Sequence, residues 1–375
     1  MTRRRPLSLT TPALALIGFT LAIIGILFVH STTARPLESF PGELARAQAL
    51  KLLVAVAGFV VVSRLDYRLL QRLAYPFYAV VFALLLALLV MRSTSSARPP
   101  RWIELPLFNV QPSEMMKVAV ILCLACYLRF RDSQRRLSGL VVPYLMVFVP
   151  MVLVALQPDL GTSLMFPPVL LALLFVSGAR PLPLMLTLGA GVSALPAAYY
   201  LRGLVPVLHV YQLERFKAYF RQWDPAVLQD EAYQLHQSLI ALGSGGIHGK
   251  GWTRGTQNAL DLVPEKHTDF IFSIIGEEWG FVGAAGVVVL YAVLVGLCLR
   301  VATVTREPFG RLVAAGVGTA FAVQSLQNLG MTMGLTPITG LPLPFVSFGG
   351  SSLVSSFVAL GFVVSIGRRP VRVVA

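Results

Sequence analysis

Long apolar runs recur along this chain, and nothing constrains its fold more. Segments at about 13–29, 46–63, 74–91, 112–128, 139–156, 161–178, 182–201, 270–299, 311–333 and 346–367 are dominated by Leu, Val, Ala, Phe and Ile. A helix needs roughly 20 apolar residues to cross the hydrocarbon of a bilayer, with about 17 to 25 tolerated. The runs predict an all-α polytopic membrane protein of about ten transmembrane helices, the fourth and sixth being the least distinct. Composition agrees: 56% of the 375 residues are hydrophobic and 13% are charged, where soluble proteins carry about a quarter charged. The first run follows "RRR" as in a signal peptide. Its apolar stretch of about 17 residues exceeds an h-region and lacks a small-x-small cleavage site, so a retained first helix is expected.

A net charge of +14 would suggest nucleic acid on a soluble protein, but here the Lys and Arg flank the apolar runs. The clusters "RRR" at 3–5, "RLDYRLLQR" at 64–72, "RFRDSQRR" at 129–136, Arg180, "RVATVTREPFGR" at 300–311 and "RRPVR" at 368–372 all fall on one side of an alternating path. The positive-inside rule places these loops and both termini in the cytoplasm and makes the helix count even. They read as topology anchors in contact with anionic membrane lipid, and no nucleic-acid partner is expected. Cys123 and Cys126 sit in "VAVILCLACYL" without a polar shell, so they read as small buried hydrophobes rather than metal ligands. No internal repeat of fixed period is visible.

One connection is long. Residues 201–269, between the seventh and eighth runs, fall outside the membrane by parity and hold seven Lys or Arg and seven Asp or Glu. A structureless loop of that length is unusual in a compact domain. Within it, "DEAYQLHQSLIALGSGG" repeats Ala232, Leu235, Leu239, Ile240 and Leu242 at helical spacing, with Asp230 able to cap the start and Gly243 the end. An amphipathic helix on the membrane surface or against the bundle is expected.

Charge within a membrane segment costs about 2.5 to 3.5 kcal/mol per residue on insertion scales, so such residues usually face a cavity and act there. Glu114 and Lys117 in "NVQPSEMMKVAV" share a helical face near the outer end of the fourth helix. Asp159 in "ALQPDLGTS" sits at the outer junction of the fifth and sixth, and Asp269 opens the eighth, with Glu277 and Glu278 about two turns deeper. Arg98, Arg101 and Trp102 precede the fourth. Singly, a structural ion pair accounts for Glu114 and Lys117, and an interface-belt aromatic for Trp102. Together, carboxylates and cations gathered at one leaflet boundary beneath a long external loop form a site for an amphiphile with an anionic head.

The second half of the loop, "GSGGIHGKGWTRGTQ", has six Gly in residues 243–255, with His248, Lys250 and Arg254 among them. Glycine lets backbone N–H groups approach phosphate oxygens, and cations complement them; a flexible, turn-rich connection explains the same composition. It is no nucleotide motif, because Gly251 follows Lys250 where a P-loop needs Ser or Thr. The chain offers no ATP site, His/Cys metal cluster or Gly-x-Ser-x-Gly elbow. A substrate for an enzyme of this kind must bring its own activation, as a sugar on a polyprenyl pyrophosphate does.

The stretch "ALGSGGIHGKGWTRGTQNALDLVPEKHTDFIFSIIGEEWGFVG", the earlier "QPSEMMK" and "QPDLGTS", and the closing "NLGMTMGLTPITGLPLPFVSFGGSS" resemble the SEDS family (shape, elongation, division and sporulation). The motifs are long, ordered and set in the matching ten-helix topology, so the resemblance covers nearly the whole chain as a single domain, 1–375. "GKGW.RGTQ" and "PEKHTDFIF" look more like the rod-shape (RodA) branch than the division branch. The resemblance implies a peptidoglycan glycosyltransferase that polymerises lipid II on the outer face of the bacterial inner membrane, beside a class B penicillin-binding protein. It makes Asp269, the Asp of "HTDF", the essential residue, and Glu114, Lys117 and Asp159 supporting polar groups, with no departure in these motifs. A lipid II flippase and a scaffold for the penicillin-binding protein are the rival functions.

Lipid II carries an α-linked pyrophosphate and the glycan is β-1,4-linked, so the anomeric centre inverts. By analogy with inverting glycosidases, a single displacement needs one base on the acceptor 4-hydroxyl and help for the departing pyrophosphate. Asp269 is the candidate base, or else holds a divalent cation such as Mg or Mn; the plain alternative is a carboxylate favoured by the helix dipole. Arg101, Lys117, Arg215, Lys250 and Arg254 are the candidate pyrophosphate contacts. The Pro- and Gly-broken "TPITGLPLPFVSFGGSS" is expected to wall the substrate groove, since irregular backbone at membrane depth is tolerated where it lines a cavity.

Overall fold

A computed structural model describes residues 9–33, 40–94, 101–103, 109–130, 136–200, 219–220 and 231–368; Arg98, Arg215 and Asp230 lie outside these. The helices are α1 (Thr10–Thr33), α2 (Glu43–Arg64), α3 (Tyr67–Thr94), α4 (Pro112–Leu128), α5 (Val141–Leu156), α6 (Leu160–Leu164), α7 (Phe166–Val176), α8 (Pro181–Tyr200), α9 (Glu231–Ser244), α10 (Thr256–Ala259), α11 (Ile271–Val304), α12 (Pro308–Thr332) and α13 (Gly350–Gly367). The β pairing among the described residues is one isolated bridge, Ile103 to Val110.

Each expected apolar run lies on a helix. Among the described residues seven are long and apolar enough to cross a membrane: α1, α2, Tyr67–Met91 of α3, Leu137–Leu156, α11, α12 and α13. The sixth run is broken, because Pro167 and Pro168 open α7 without backbone N–H groups to bond back to the preceding turn, leaving α6 as a separate short helix. The fourth run, α4, has 17 residues, and the apolar part of α8 is Pro181–Gly191. The tenth helix starts at Gly350 rather than at 346: Phe345 adopts a left-handed φ of 68°, and Pro342 and Pro344 cannot donate to a helical ladder.

α12 and α13 form the centre. α12 packs against α11, α7 and α4, while α13 lies along α2 and touches α1, α12 and α4. The peripheral helices α2, α3 and α5 turn Leu53, Val61, Val80, Leu86, Leu145 and Val152 outward. Lipid tails are as apolar as Leu, so such exposure costs nothing in a bilayer and helices associate there by close packing and hydrogen bonds.

The segment between α12 and α13 is irregular yet buried through Ile338, Leu341, Leu343, Phe345 and Val346. Its polar backbone is met by side chains: the Tyr291 hydroxyl donates to the Pro344 carbonyl, and the Leu343 N–H donates to Ser347 Oγ at 2.8 Å. The amphipathic helix α9 lies against α11 and α12, with Leu235 and Ala241 buried and Ser238 Oγ donating to the Thr332 carbonyl at 2.8 Å. It runs on to Ser244, one residue past the expected stop at Gly243.

Candidate active site

One face of α12 bonds two of the predicted site residues, the Lys117 ammonium and the backbone of Asp269. Gln324 accepts from Lys117 Nζ through Oε1 at 3.0 Å and donates through Nε2 to the Pro342 carbonyl at 2.8 Å. One turn on, Asn328 Nδ2 donates to the Asp269 carbonyl at 2.8 Å and to the Leu341 carbonyl at 2.7 Å. Four residues of helix rise about 6 Å, so two amides one turn apart tie the start of α11, the start of α4 and the irregular 336–348 segment together. Asp269 itself is half-buried. Asn328 is fully buried, and its Oδ1 has no hydrogen-bond partner among the described residues.

Glu114 and Lys117 form the expected pair. Lys117 Nζ lies 2.8 Å from Glu114 Oε1, with 9% and 2% of the two residues exposed. Ser355 Oγ donates to the other carboxylate oxygen at 2.9 Å. A buried ion pair is tolerable only when its remaining polar atoms are also satisfied. Lys117 has three donors and spends two here, on Glu114 and Gln324.

Asp159 caps α6, its Oδ1 accepting from the Thr162 N–H, while Oδ2 accepts from Gln111 Nε2 at 2.8 Å and Ser113 Oγ at 2.9 Å. It thereby fastens the α5–α6 junction to the start of α4. Arg101 Nη2 donates to the Pro158 carbonyl at 2.7 Å, so Arg101 joins this edge. Gly161 lets the same junction reach the irregular segment, since a Cβ there would sit 2.3 Å from the Thr339 carbonyl oxygen. Trp102 is 43% exposed beside it.

Several contributors were not singled out from sequence. Lys51 of α2 sits within an apolar run, and its ammonium lies 3.5 Å from the centre of the Phe348 ring. His267 meets the same ring edge-on, and its carbonyl accepts from the Phe348 N–H at 2.9 Å. Burial pushes the His267 imidazole below its ordinary value of 6.5. Gln48 bonds the Ser347 carbonyl at 3.1 Å, and Ser347 Oγ donates to the Thr268 carbonyl at 2.5 Å. A charge inside the second apolar run was the available signal for Lys51. The amides Gln48, Gln324 and Asn328 show no pattern until helices pack.

The Gly-rich segment has a different job from a phosphate cradle. Glu277 and Glu278 are fully buried. Lys250 Nζ pairs with Glu277 Oε1 at 2.6 Å and donates to Ser244 Oγ and Thr256 Oγ1, both at 2.7 Å. The Glu277 carboxylate also accepts from the backbone N–H groups of Gln257 and Asn258, and Glu278 from Ser31, Asn258 Nδ2 and the Thr253 N–H. α11 breaks at Gly280 (φ 65°, ψ −166°), and the freed groups pair with the loop: Lys250 N to Glu277 O and Gly251 N to Glu278 O, each 3.0 Å, and Phe281 N to Gly246 O at 2.8 Å. Lys250, a candidate phosphate contact by sequence, thus has three protein partners in a latch on the middle of α11. Arg254 is exposed near the latch, and Arg215 lies outside the described residues.

Among the described residues no group of three or more His, Cys, Asp or Glu converges to hold a metal. Cys123 and Cys298 are buried and Cys126 is half-buried, all unpaired thiols.

Residues 12–370 match the cell cycle protein family of FtsW, RodA and SpoVE. The chain is 36% identical to the probable peptidoglycan glycosyltransferase FtsW of Trichlorobacter lovleyi, over 97% of this chain and 95% of that one. It is 32% identical to the peptidoglycan glycosyltransferase MrdB of Escherichia coli K12, over 95% and 92%. Its structure aligns with a chain of a peptidoglycan synthase complex that coordinates polymerization and crosslinking (TM-score 0.77, 28% identity, 95% of this chain and 96% of that). It also aligns with the rod shape determining protein RodA of Thermus thermophilus (TM-score 0.67, 26% identity, 95% of each). With the match to the family running over residues 12–370 and the relatives aligning nearly end to end, the chain belongs to the SEDS family of polytopic membrane proteins.

Proposed function

We propose that this protein is a peptidoglycan glycosyltransferase that polymerises lipid II, with its active site on the outer face of the bacterial inner membrane, and that it serves cell elongation. One observation carries the site assignment: Gln324 and Asn328, a turn apart on α12, hold Lys117 and the Asp269 backbone. In this reading the Asp269 carboxylate and the Lys117 ammonium face one substrate groove at the membrane boundary. The reactive atoms of lipid II sit just above the headgroups while the tail stays in lipid, which is the height of a residue at the entrance of α11.

In this reading Asp269 takes the proton of the acceptor 4-hydroxyl as that oxygen attacks the donor anomeric carbon, and the pyrophosphate leaves from the opposite face with inversion. The third N–H of Lys117 and the remaining donors of Arg101 stabilise the leaving phosphate oxygens. A divalent cation held between Asp269 and the pyrophosphate would supply further charge neutralisation. A class B penicillin-binding protein crosslinks the glycan. The rod-shape assignment rests on "GKGW.RGTQ" and "PEKHTDFIF"; rescue of rod-shape but not division depletion supports it, and the reverse pattern overturns it.

The direct test is polymerisation of labelled lipid II by purified protein, with and without a cognate class B penicillin-binding protein. Wild type is expected to give glycan ladders and a folded Asp269→Asn protein none; ladders of equal length from both move the chemistry elsewhere. Leaflet exchange of lipid II with no glycan under any condition replaces the enzyme with a flippase. Activity that survives exhaustive chelation removes the cation.

A further inference from the structure

At the end of the bundle opposite Asp269 lies a cavity of about 540 Å³ between the α2–α3 turn, the end of α4 and the α11–α12 connection. Among the described residues, Arg68, Arg72 and Arg129 line it with Glu307 the one acid, a net charge of +2 for that set. Arg129 Nη1 donates to Gln71 Oε1 at 2.6 Å, and Gln71 Nε2 donates to Glu307 Oε1 at 3.2 Å. Glu307 in turn caps α12 through the Gly310 N–H. That chain links Arg129 to Glu307 through the Gln71 amide and orients both side chains. Among the described residues no ion pair involves the side chains of Arg68 and Arg72, which project from the first turns of α3. Tyr67, Tyr75, Phe130 and Cys126 complete the described lining, with Phe130 76% and Tyr75 47% exposed.

We propose that this cavity binds the phosphate of an anionic phospholipid headgroup. The pattern is amphiphilic, with guanidiniums beside exposed aromatic side chains. Arginine forks match phosphate oxygens bidentately, and basic pockets between transmembrane helices take acidic headgroups on the cytoplasmic side, the side to which the positive-inside pattern assigns these loops. Arg129 follows the helix that begins with the Glu114–Lys117 pair, and the 15 residues from Glu114 to Arg129 span about 22 Å, so this site is separate from the groove at Asp269. A bound headgroup would cross-link α3, α4 and the α11–α12 turn.

The test uses the full chain in neutral detergent, read by native mass spectrometry and by thermal unfolding, with phosphatidylglycerol, phosphatidylcholine and inorganic phosphate as separate probes. Wild type is expected to retain phosphatidylglycerol and rise in melting temperature, with little response to phosphatidylcholine. Arg68→Gln/Arg72→Gln should weaken phosphatidylglycerol binding about tenfold or more while keeping the helical circular dichroism and gel-filtration profile of wild type. Arg300→Gln/Arg368→Gln removes two exposed arginines that do not line the cavity and should bind as wild type. Equal retention of both lipids, equal binding by the two double variants, or stabilisation by inorganic phosphate with none by phosphatidylglycerol would each overturn the proposal.

Discussion

Lys117 and Glu114 are hidden together, and their burial sets the consequence of separating them. Removing one partner of a buried pair costs about 3 to 5 kcal/mol because the other charge is left unpaired. Lys117→Met should lower the melting temperature in detergent sharply, and adding Glu114→Gln should recover much of the loss; a single variant as stable as wild type would show that the pair is no brace. His267 makes a pH prediction. Its folded pKa lies below its ordinary 6.5 because burial penalises the imidazolium, with Lys51 and Lys266 adding repulsion and Glu265 and Asp261 opposing it. The unfolded chain therefore binds the proton more readily, so stability falls as pH drops through about 6.5, and above that range His267 contributes nothing. The drop in melting temperature between pH 7.5 and 6.0 should be smaller in His267→Gln than in wild type. At this scale the candidate site residues Asp269, Asp159, Glu114 and Lys117 were legible as charges in apolar surroundings, whereas Asn328 and Gln324 were not, because an amide in a helix has no signature until it is seen bridging two segments.

Among the elements, α11 depends on its break. Gly280 holds φ 65°, and a Cβ on it would sit 2.2 Å from the Gly249 amide nitrogen, which is backbone and cannot swing away. Gly280→Ala should therefore undock the 245–258 latch at a cost of about 1 to 3 kcal/mol from the strained conformation alone, seen as faster proteolysis within the latch. A protease pattern identical to wild type would mean that the latch does not rely on this close approach. The six glycines of 243–255 suggested room for phosphate; the structure gives that room to the α11 backbone and to Glu277 and Glu278. A glycine-rich run reports that two backbones approach closely and is silent about whether the second belongs to a ligand or to the protein.

Across the whole molecule, the groove at Asp269 and the arginine cavity mark opposite ends. If the positive-inside pattern holds, a membrane-impermeant maleimide should label Arg254→Cys in intact cells and should reach Arg306→Cys only after the membrane is opened; the opposite labelling would invert the topology. The labelling uses a Cys126→Ser background, because Cys126 is half-buried while Cys123 and Cys298 are buried. Sequence by itself determined the class of fold and the positions of the apolar helices, because a bilayer imposes length and polarity on each segment separately. Only the tertiary structure decided that α6 and α7 are separate helices and that Lys250 is a latch. It alone brought Lys51 and the α12 amides to the site. Those outcomes depend on which hydrogen-bonding groups meet across helices distant in sequence, and in a medium without water each buried group must take whatever partner packing brings to it.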